Sequence, residues 1–202
     1  MQPKILLADD HSMTRKGVKL LCELDLGFTD VAEAETCNEL MRELRKEEYT
    51  HLVLDINFSD GTSLEILPNI RNLYPDLKIM IFSMQPPEIY ANAIKQYGIW
   101  NYISKANPEE ATIQQMNQFL RNELPARVSY ETYKHNNPFS EFSGRELEIL
   151  HYLRLGIGTN DIAEALNLSA STISTHKGRM IEKTNTNNLK ELLDLAVLYN
   201  IN

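Results

Sequence analysis

Five short apolar runs alternate with helix-patterned stretches over residues 1–120, and that alternation constrains the fold more than any other feature. The runs lie at 4–8, 30–34, 51–55, 77–82 and 99–103, and the helical patterns at about 12–25, 37–47, 63–73, 87–97 and 108–121. Strand and helix in strict alternation predict parallel strands joined by helical crossovers, a doubly wound α/β sheet of five strands. Helix starts are marked as well. Thr36-x-x-Glu39 and Thr62-x-x-Glu65 fit capping boxes. Asn107 is placed as a cap, with Pro108 at the first helical position and Glu109 and Glu110 in the first turn.

Four of the runs end in polar residues of a particular kind. Asp9 and Asp10 follow the first, Asp55 ends the third, Ser83 follows the fourth and Lys105 closes the last. In an open parallel sheet the carboxyl ends of the strands share one edge, and ligands bind there. Three carboxylates gathered at that edge repel one another, by about 4 kcal/mol for unit charges about 4 Å apart at an effective dielectric of about 20. A hard dication relieves this, and Mg2+ suits a site of a few carboxylate and carbonyl oxygens. A carboxylate so placed can attack a phosphoryl group and form an acyl phosphate. Lys105 and Ser83 would then meet the charge on the phosphoryl oxygens. Any one of these residues alone reads as an ordinary turn or cap residue; the set, spread over different strand ends, does not.

The pattern stops at 121–138, a stretch with Pro125, Lys134-His135-Asn136-Asn137 and Pro138 that reads as a linker with a short helix around 127–134. Residues 139–202 read as all-helical, with helices at 143–155, 159–166, 170–183 and 188–199 and a capping box at Ser143-x-x-Glu146. Only Asn167-Leu168-Ser169 separates the middle two, the spacing of a helix-turn-helix. In the second of them Ile173, Met180 and Ile181 form an apolar stripe, and Thr172, Thr175 and Arg179 fall on another face. Lys177, Arg179 and Lys183 oppose only Glu182, so this helix is locally basic. The chain as a whole carries a net charge of −8, and neither half is basic, which counts against non-specific nucleic-acid binding by bulk charge. Its last helix, with Leu189, Leu192, Leu193, Ala196, Val197 and Tyr199, has more apolar positions than a small core needs.

Cys22 and Cys37 show no Cys-x-x-Cys spacing and read as reduced structural thiols. No apolar run has the length of a membrane span, and the amino-terminal run reaches charge too soon for a signal peptide. The expected compartment is the cytoplasm.

The first half resembles the receiver domain of two-component response regulators of the NarL/FixJ type. The residues that carry this are Asp9-Asp10-His11, Leu54-Asp55-Ile56, Phe82-Ser83-Met84 and Tyr102-Ile103-Ser104-Lys105. The second half resembles the LuxR-type DNA-binding domain through Phe142–Leu150, Asn160–Leu166 and Ser169–Lys177. The resemblance implies a receiver at 1–121 with strand order 2-1-3-4-5, a linker at 122–138 and a four-helix helix-turn-helix domain at 139–202. It implies that Asp55 accepts a phosphoryl group from a sensor histidine kinase. Asp9, Asp10, Asp55 and the main-chain carbonyl of Asn57 would hold Mg2+, Lys105 and Ser83 would contact the phosphoryl oxygens, and Ser83 and Tyr102 would act as the switch. Double-stranded DNA would meet Thr172, Ser174, Thr175, His176, Lys177, Arg179 and Lys183, with a homodimer formed on phosphorylation and no enzyme turnover beyond self-phosphorylation and self-dephosphorylation.

Some residues depart from the family. Phe58-Ser59-Asp60-Gly61 lacks the usual proline after the acceptor, Asn101 stands where glycine is common, and Ser174 and Gly178 stand where basic residues are frequent. Two other readings compete. A magnesium phosphohydrolase of the haloacid-dehalogenase kind wants an acid two residues after its nucleophilic aspartate, and that residue is Asn57. An orphan regulator would keep this fold without phosphorylation.

Overall fold

The computed structural model describes residues 3–123 and 137–201. Most of the expected linker, with its expected short helix at 127–134, lies outside the described residues.

In chain order the first elements are β1 (Ile5–Ala8), α1 (Ser12–Leu20), β2 (Val31–Ala34), α2 (Cys37–Lys46), β3 (His51–Leu54), β4 (Asn57–Phe58), β5 (Gly61–Thr62) and α3 (Ser63–Leu73). Then come β6 (Lys78–Ser83), α4 (Pro87–Lys95), β7 (Asn101–Ser104) and α5 (Glu109–Leu120). The main sheet runs β2-β1-β3-β6-β7, with every neighbouring pair parallel. Counting only its five strands, this is the order 2-1-3-4-5. β1 and β3 are buried along their whole length, as strands covered on both faces must be. Ile5, Leu7, Val53, Met80, Phe82 and Ile103 from the strands meet Val18, Cys22, Met116 and Phe119 from the helices in one core.

The structure refines several boundaries. The expected helix 12–25 is α-helical only to Leu20 and continues as a π-helical turn over Leu21–Asp25. The cap of α5 is Pro108 rather than Asn107, and the helix begins at Glu109. Proline's fixed φ and missing N–H suit a helix entry, where the first amides have no intrahelical partner. The loop after Asp55 is a two-stranded hairpin, β4 with β5, that the sequence pattern did not predict. Gly61 there has φ 145°, a conformation that side chains rarely adopt. Asp60 from this hairpin caps α2, accepting from the Cys37 and Asn38 amides at 2.8 and 3.1 Å.

The described part of the second half consists of α6 (Gly144–Arg154), α7 (Thr159–Ala165), α8 (Ala170–Thr184) and α9 (Leu189–Leu198). Its capping box forms in both directions: the Glu146 amide donates to Ser143 Oγ at 3.2 Å, and the Ser143 amide to Glu146 Oε2 at 2.7 Å. Asn167, in the turn between α7 and α8, has φ 52°, which asparagine tolerates better than most residues. Ile149, Ile162, Ile173, Met180, Leu192 and Ala196 are buried.

By contacts the chain divides into two compact units, Met1–Met84 with Tyr97–Val128, and Gln85–Gln96 with Ser129–Asn202. Helix α4 thus clusters with the second unit, where Asn92 Nδ2 donates to the Ser140 carbonyl at 3.1 Å. Cys22 and Cys37 are free buried thiols, and burial pushes the Cys22 thiol up to about 12. Among the described residues no helix is long and apolar enough to cross a membrane.

Candidate functional site

The carboxyl edge of the main sheet brings Asp9, Asp10, Asp55, Ser83 and Lys105 together. Asp9 follows β1, and its amide donates to the Ala34 carbonyl on β2 at 3.1 Å. Asp55 follows β3 and is tied back by its amide to the Ala8 carbonyl at 2.9 Å. Ser83 is the last residue of β6, and its carbonyl accepts from the Lys105 amide at 2.9 Å. Backbone pairing, not side-chain attraction, therefore fixes where these groups stand.

Their side chains then converge on Asp55. Ser83 Oγ donates to Asp55 Oδ1 at 2.5 Å, and the Ile56 amide donates to the same oxygen at 2.6 Å. Lys105 Nζ lies 2.5 Å from Asp55 Oδ2 and 2.6 Å from Asp9 Oδ2. Asp55 is 5% exposed. Burial pushes its carboxyl above the ordinary value, against the opposing pull of Lys105 and Ser83 and with a further push from Asp9. A carboxylate in this position costs the fold energy when ionised.

Asp10 completes the cluster from the turn before α1. Ligand atoms of Asp9, Asp10, His11 and Asp55 all lie within 4.8 Å of one another. Asp10 Oδ1 is buried and accepts no hydrogen bond, with the His11 ring nitrogen Nδ1 2.6 Å away. Lys105 alone bridges Asp9 and Asp55, so the third carboxylate has no buried cation of its own among the described residues. A hard divalent ion fits this donor set. Asn57 is half-buried at the start of β4, and Tyr102 is half-buried on β7.

Two residues here escaped the sequence reading. His11 sits in the acidic motif itself but carried no assigned role. Arg15 is buried beneath the motif, its Nη1 2.5 Å from the Asp9 carbonyl. Its place four residues past His11, at the start of a helix, was the available signal.

On α8 the expected DNA-facing residues separate into two groups. Ser174, Thr175 and Arg179 are exposed. The Ser174 and Thr175 hydroxyls donate to the Ala170 and Ser171 carbonyls at 3.0 Å, so each keeps its lone pairs outward. Arg179 makes no hydrogen bond or ion pair among the described residues. Gly178 lies on the same face, and a Cβ added there would meet nothing within 4 Å.

The second group is engaged within the fold. Lys183 Nζ is 2.7 Å from Glu146 Oε2 and 2.9 Å from the Glu141 carbonyl, which ties α8 to the capping box of α6. Lys177 Nζ donates to Thr159 Oγ1 at 2.7 Å. Thr172 Oγ1 shares a 2.7 Å hydrogen bond with Ser169, the cap of α8. His176 is half-buried with Nδ1 in no hydrogen bond, and burial pulls its pKa down.

Comparison with known proteins follows this division. Residues 5–117 match the response regulator receiver domain family, and residues 140–196 match the luxR family of bacterial regulatory proteins. The chain is 29% identical over 209 residues to BvgA of Bordetella pertussis, named for positive transcription regulation of virulence factors, covering 100% of both. It is also 29% identical over 209 residues to the oxygen regulatory protein NreC of Staphylococcus carnosus, covering 96% of each. Among solved structures, RcsB of Salmonella enterica serovar Typhimurium, bound to promoter rprA with the phosphomimetic BeF3−, has the same fold. Its TM-score is 0.77 at 21% identity, over 96% of this chain and 98% of that one.

Proposed function

The chain belongs to the two-component response regulators that join a receiver to a LuxR-type DNA-binding domain, and from that premise we propose that phosphorylation of Asp55 controls its binding to DNA. The observation that carries this is the convergence of Ser83 and Lys105 on the Asp55 carboxylate beside two further acids.

In the proposed reaction an Asp55 carboxylate oxygen attacks the phosphorus of a phosphohistidine on a sensor kinase. The P–N bond breaks and the imidazole leaves with the electron pair. Lys105 Nζ and Ser83 Oγ, now on the carboxylate, are placed to pass to phosphoryl oxygens as negative charge moves outward. Asp9, Asp10, Asp55 and the Asn57 carbonyl would hold Mg2+, which supplies charge neutralisation when bound. Ser83 and Tyr102 would carry the change onward as the switch. The acyl phosphate is then a signal held on the protein, not a step in turnover.

The proposed boundaries are a receiver at 1–121, a linker at 122–138 and a DNA-binding domain at 139–202. Double-stranded DNA meets the exposed face of α8, with Ser174, Thr175 and Arg179 as direct contacts. Thr172, His176, Lys177 and Lys183 contribute mainly by setting that helix in place. One exposed arginine gives a weak half-site. A homodimer formed on phosphorylation would offset this, because the second contact becomes intramolecular. The relatives' names support a role in transcription, and a regulator of transcription would act in the cytoplasm.

The test is labelling of the purified chain by radioactive acetyl phosphate with magnesium. The wild type takes up label, and Asp55→Asn takes up none. Full labelling of Asp55→Asn overturns the assignment.

A further inference from the structure

Arg15 is the one lysine or arginine among the described residues that is buried as a whole residue, at 8% exposed. Among the described residues it makes no hydrogen bond or ion pair with Asp55 or with the side chains of Asp9 and Asp10. Its Nη1 donates to the main-chain carbonyl of Asp9 at 2.5 Å. That carbonyl belongs to the peptide joining Asp9 to Asp10, so the guanidinium fixes the plane of the peptide linking the two acids. Two acids from the end of β2 hold the other edge of the fork. Glu35 Oε2 is 3.3 Å from Nη2, and Glu33 Oε2 is 3.5 Å from Nε.

The same turn is fixed at two further points. The Asp9 amide is bound to the Ala34 carbonyl, and Asp9 Oδ1 accepts from the His11 amide at 2.8 Å. Of the three, only the Asp9 carbonyl depends on a side chain from outside the turn. A planar guanidinium can hold that carbonyl while its other nitrogens face β2; an ammonium offers one point charge and no fork.

Resting on the phosphorylation reading above, we propose that Arg15 is a positioning residue for the metal-binding pair: it sets the angle between the Asp9 and Asp10 carboxylates and thereby the affinity for the divalent ion. Loss of groups that orient metal ligands commonly weakens metal binding about 10–100-fold. Arg15→Lys keeps the charge but loses the fork, so it should weaken Mg2+ binding about 10-fold.

The experiment is isothermal titration calorimetry with Mg2+ on the full chain, wild type against Arg15→Lys, well below the melting midpoint of the variant. Acetyl phosphate labelling at saturating Mg2+ runs in parallel. The expected result is weaker Mg2+ binding in Arg15→Lys, with labelling restored to the wild-type extent once Mg2+ is saturating. Wild-type Mg2+ affinity in Arg15→Lys overturns the proposal, whatever its melting point. Labelling that stays low at saturating Mg2+ also overturns it, because Arg15 then acts on more than the metal. A wild-type chain that binds Mg2+ but takes up no label overturns the phosphorylation reading and leaves the positioning role to stand on calorimetry. A wild-type chain that binds no Mg2+ overturns both.

Discussion

Asp55 in the first unit and Glu146 in the second are both buried carboxylates held by a lysine, yet their carboxyls shift in opposite directions. Burial pushes both carboxyls up. At Asp55 that push wins, because Lys105 is shared with Asp9 and a second acid stands close by. At Glu146 it loses, because Lys183 and both the amide and hydroxyl of Ser143 bind the carboxylate and hold it below its ordinary value. One arrangement is complete in itself and fastens α6 to α8. The other is short of positive charge and gains from a cation and a phosphoryl group. A buried acid that costs stability marks a place built for an incoming partner.

The sharpest way to break this comparison is to remove each lysine. Lys105→Met should slow labelling of Asp55 roughly 100-fold, the scale of losing one preorganised donor to a developing charge. Lys183→Met should leave labelling unchanged and lower the melting midpoint of the helical unit. Equal effects of the two changes on labelling would erase the distinction.

The pH dependence is smaller and has opposite signs at the two sites. Asp55 has a folded pKa above its ordinary 3.8, so its contribution to stability is full below that value and is lost as pH rises through the folded pKa. Without magnesium, Asp55→Asn should therefore stabilise the protein at neutral pH, read as a raised Tm. Glu146 has a folded pKa below its ordinary 4.5, so its contribution is present above that value and is lost as pH falls through the folded pKa. Glu146→Gln should destabilise at neutral pH and flatten the acid limb of the unfolding curve. Thermal melts of both variants from pH 3 upward, in chelator, read the two signs directly; the same sign for both would contradict the electrostatic account.

The same contrast explains what could be read from the sequence. The pocket was legible because strand ends in a parallel sheet must meet at one edge, so a polar residue closing an apolar run carries its own location. The hairpin over Asn57–Thr62 was not, because two-residue strands leave no periodic signal. The hold of Arg15 on the acidic motif was hidden because it acts there through a main-chain carbonyl, which no side-chain pattern reveals. On α8 the helix was legible, but the work of each residue was not. Lys183 and Arg179 look alike as letters, and only the packing of α6 beside α8 shows that Lys183 is already engaged. At Gly178 an added Cβ would meet nothing within 4 Å, so this face of α8 is open beside it.

The central claim is that the Asp55 acyl phosphate governs DNA binding through α8. Fluorescence anisotropy of a duplex carrying a selected binding site tests it, with and without magnesium and beryllofluoride, on the wild type and on Asp55→Asn. The account predicts tighter, dimer-dependent binding by the wild type when the phosphoryl mimic is added, and no response from Asp55→Asn. Equal DNA affinity for the wild type in both conditions would contradict it.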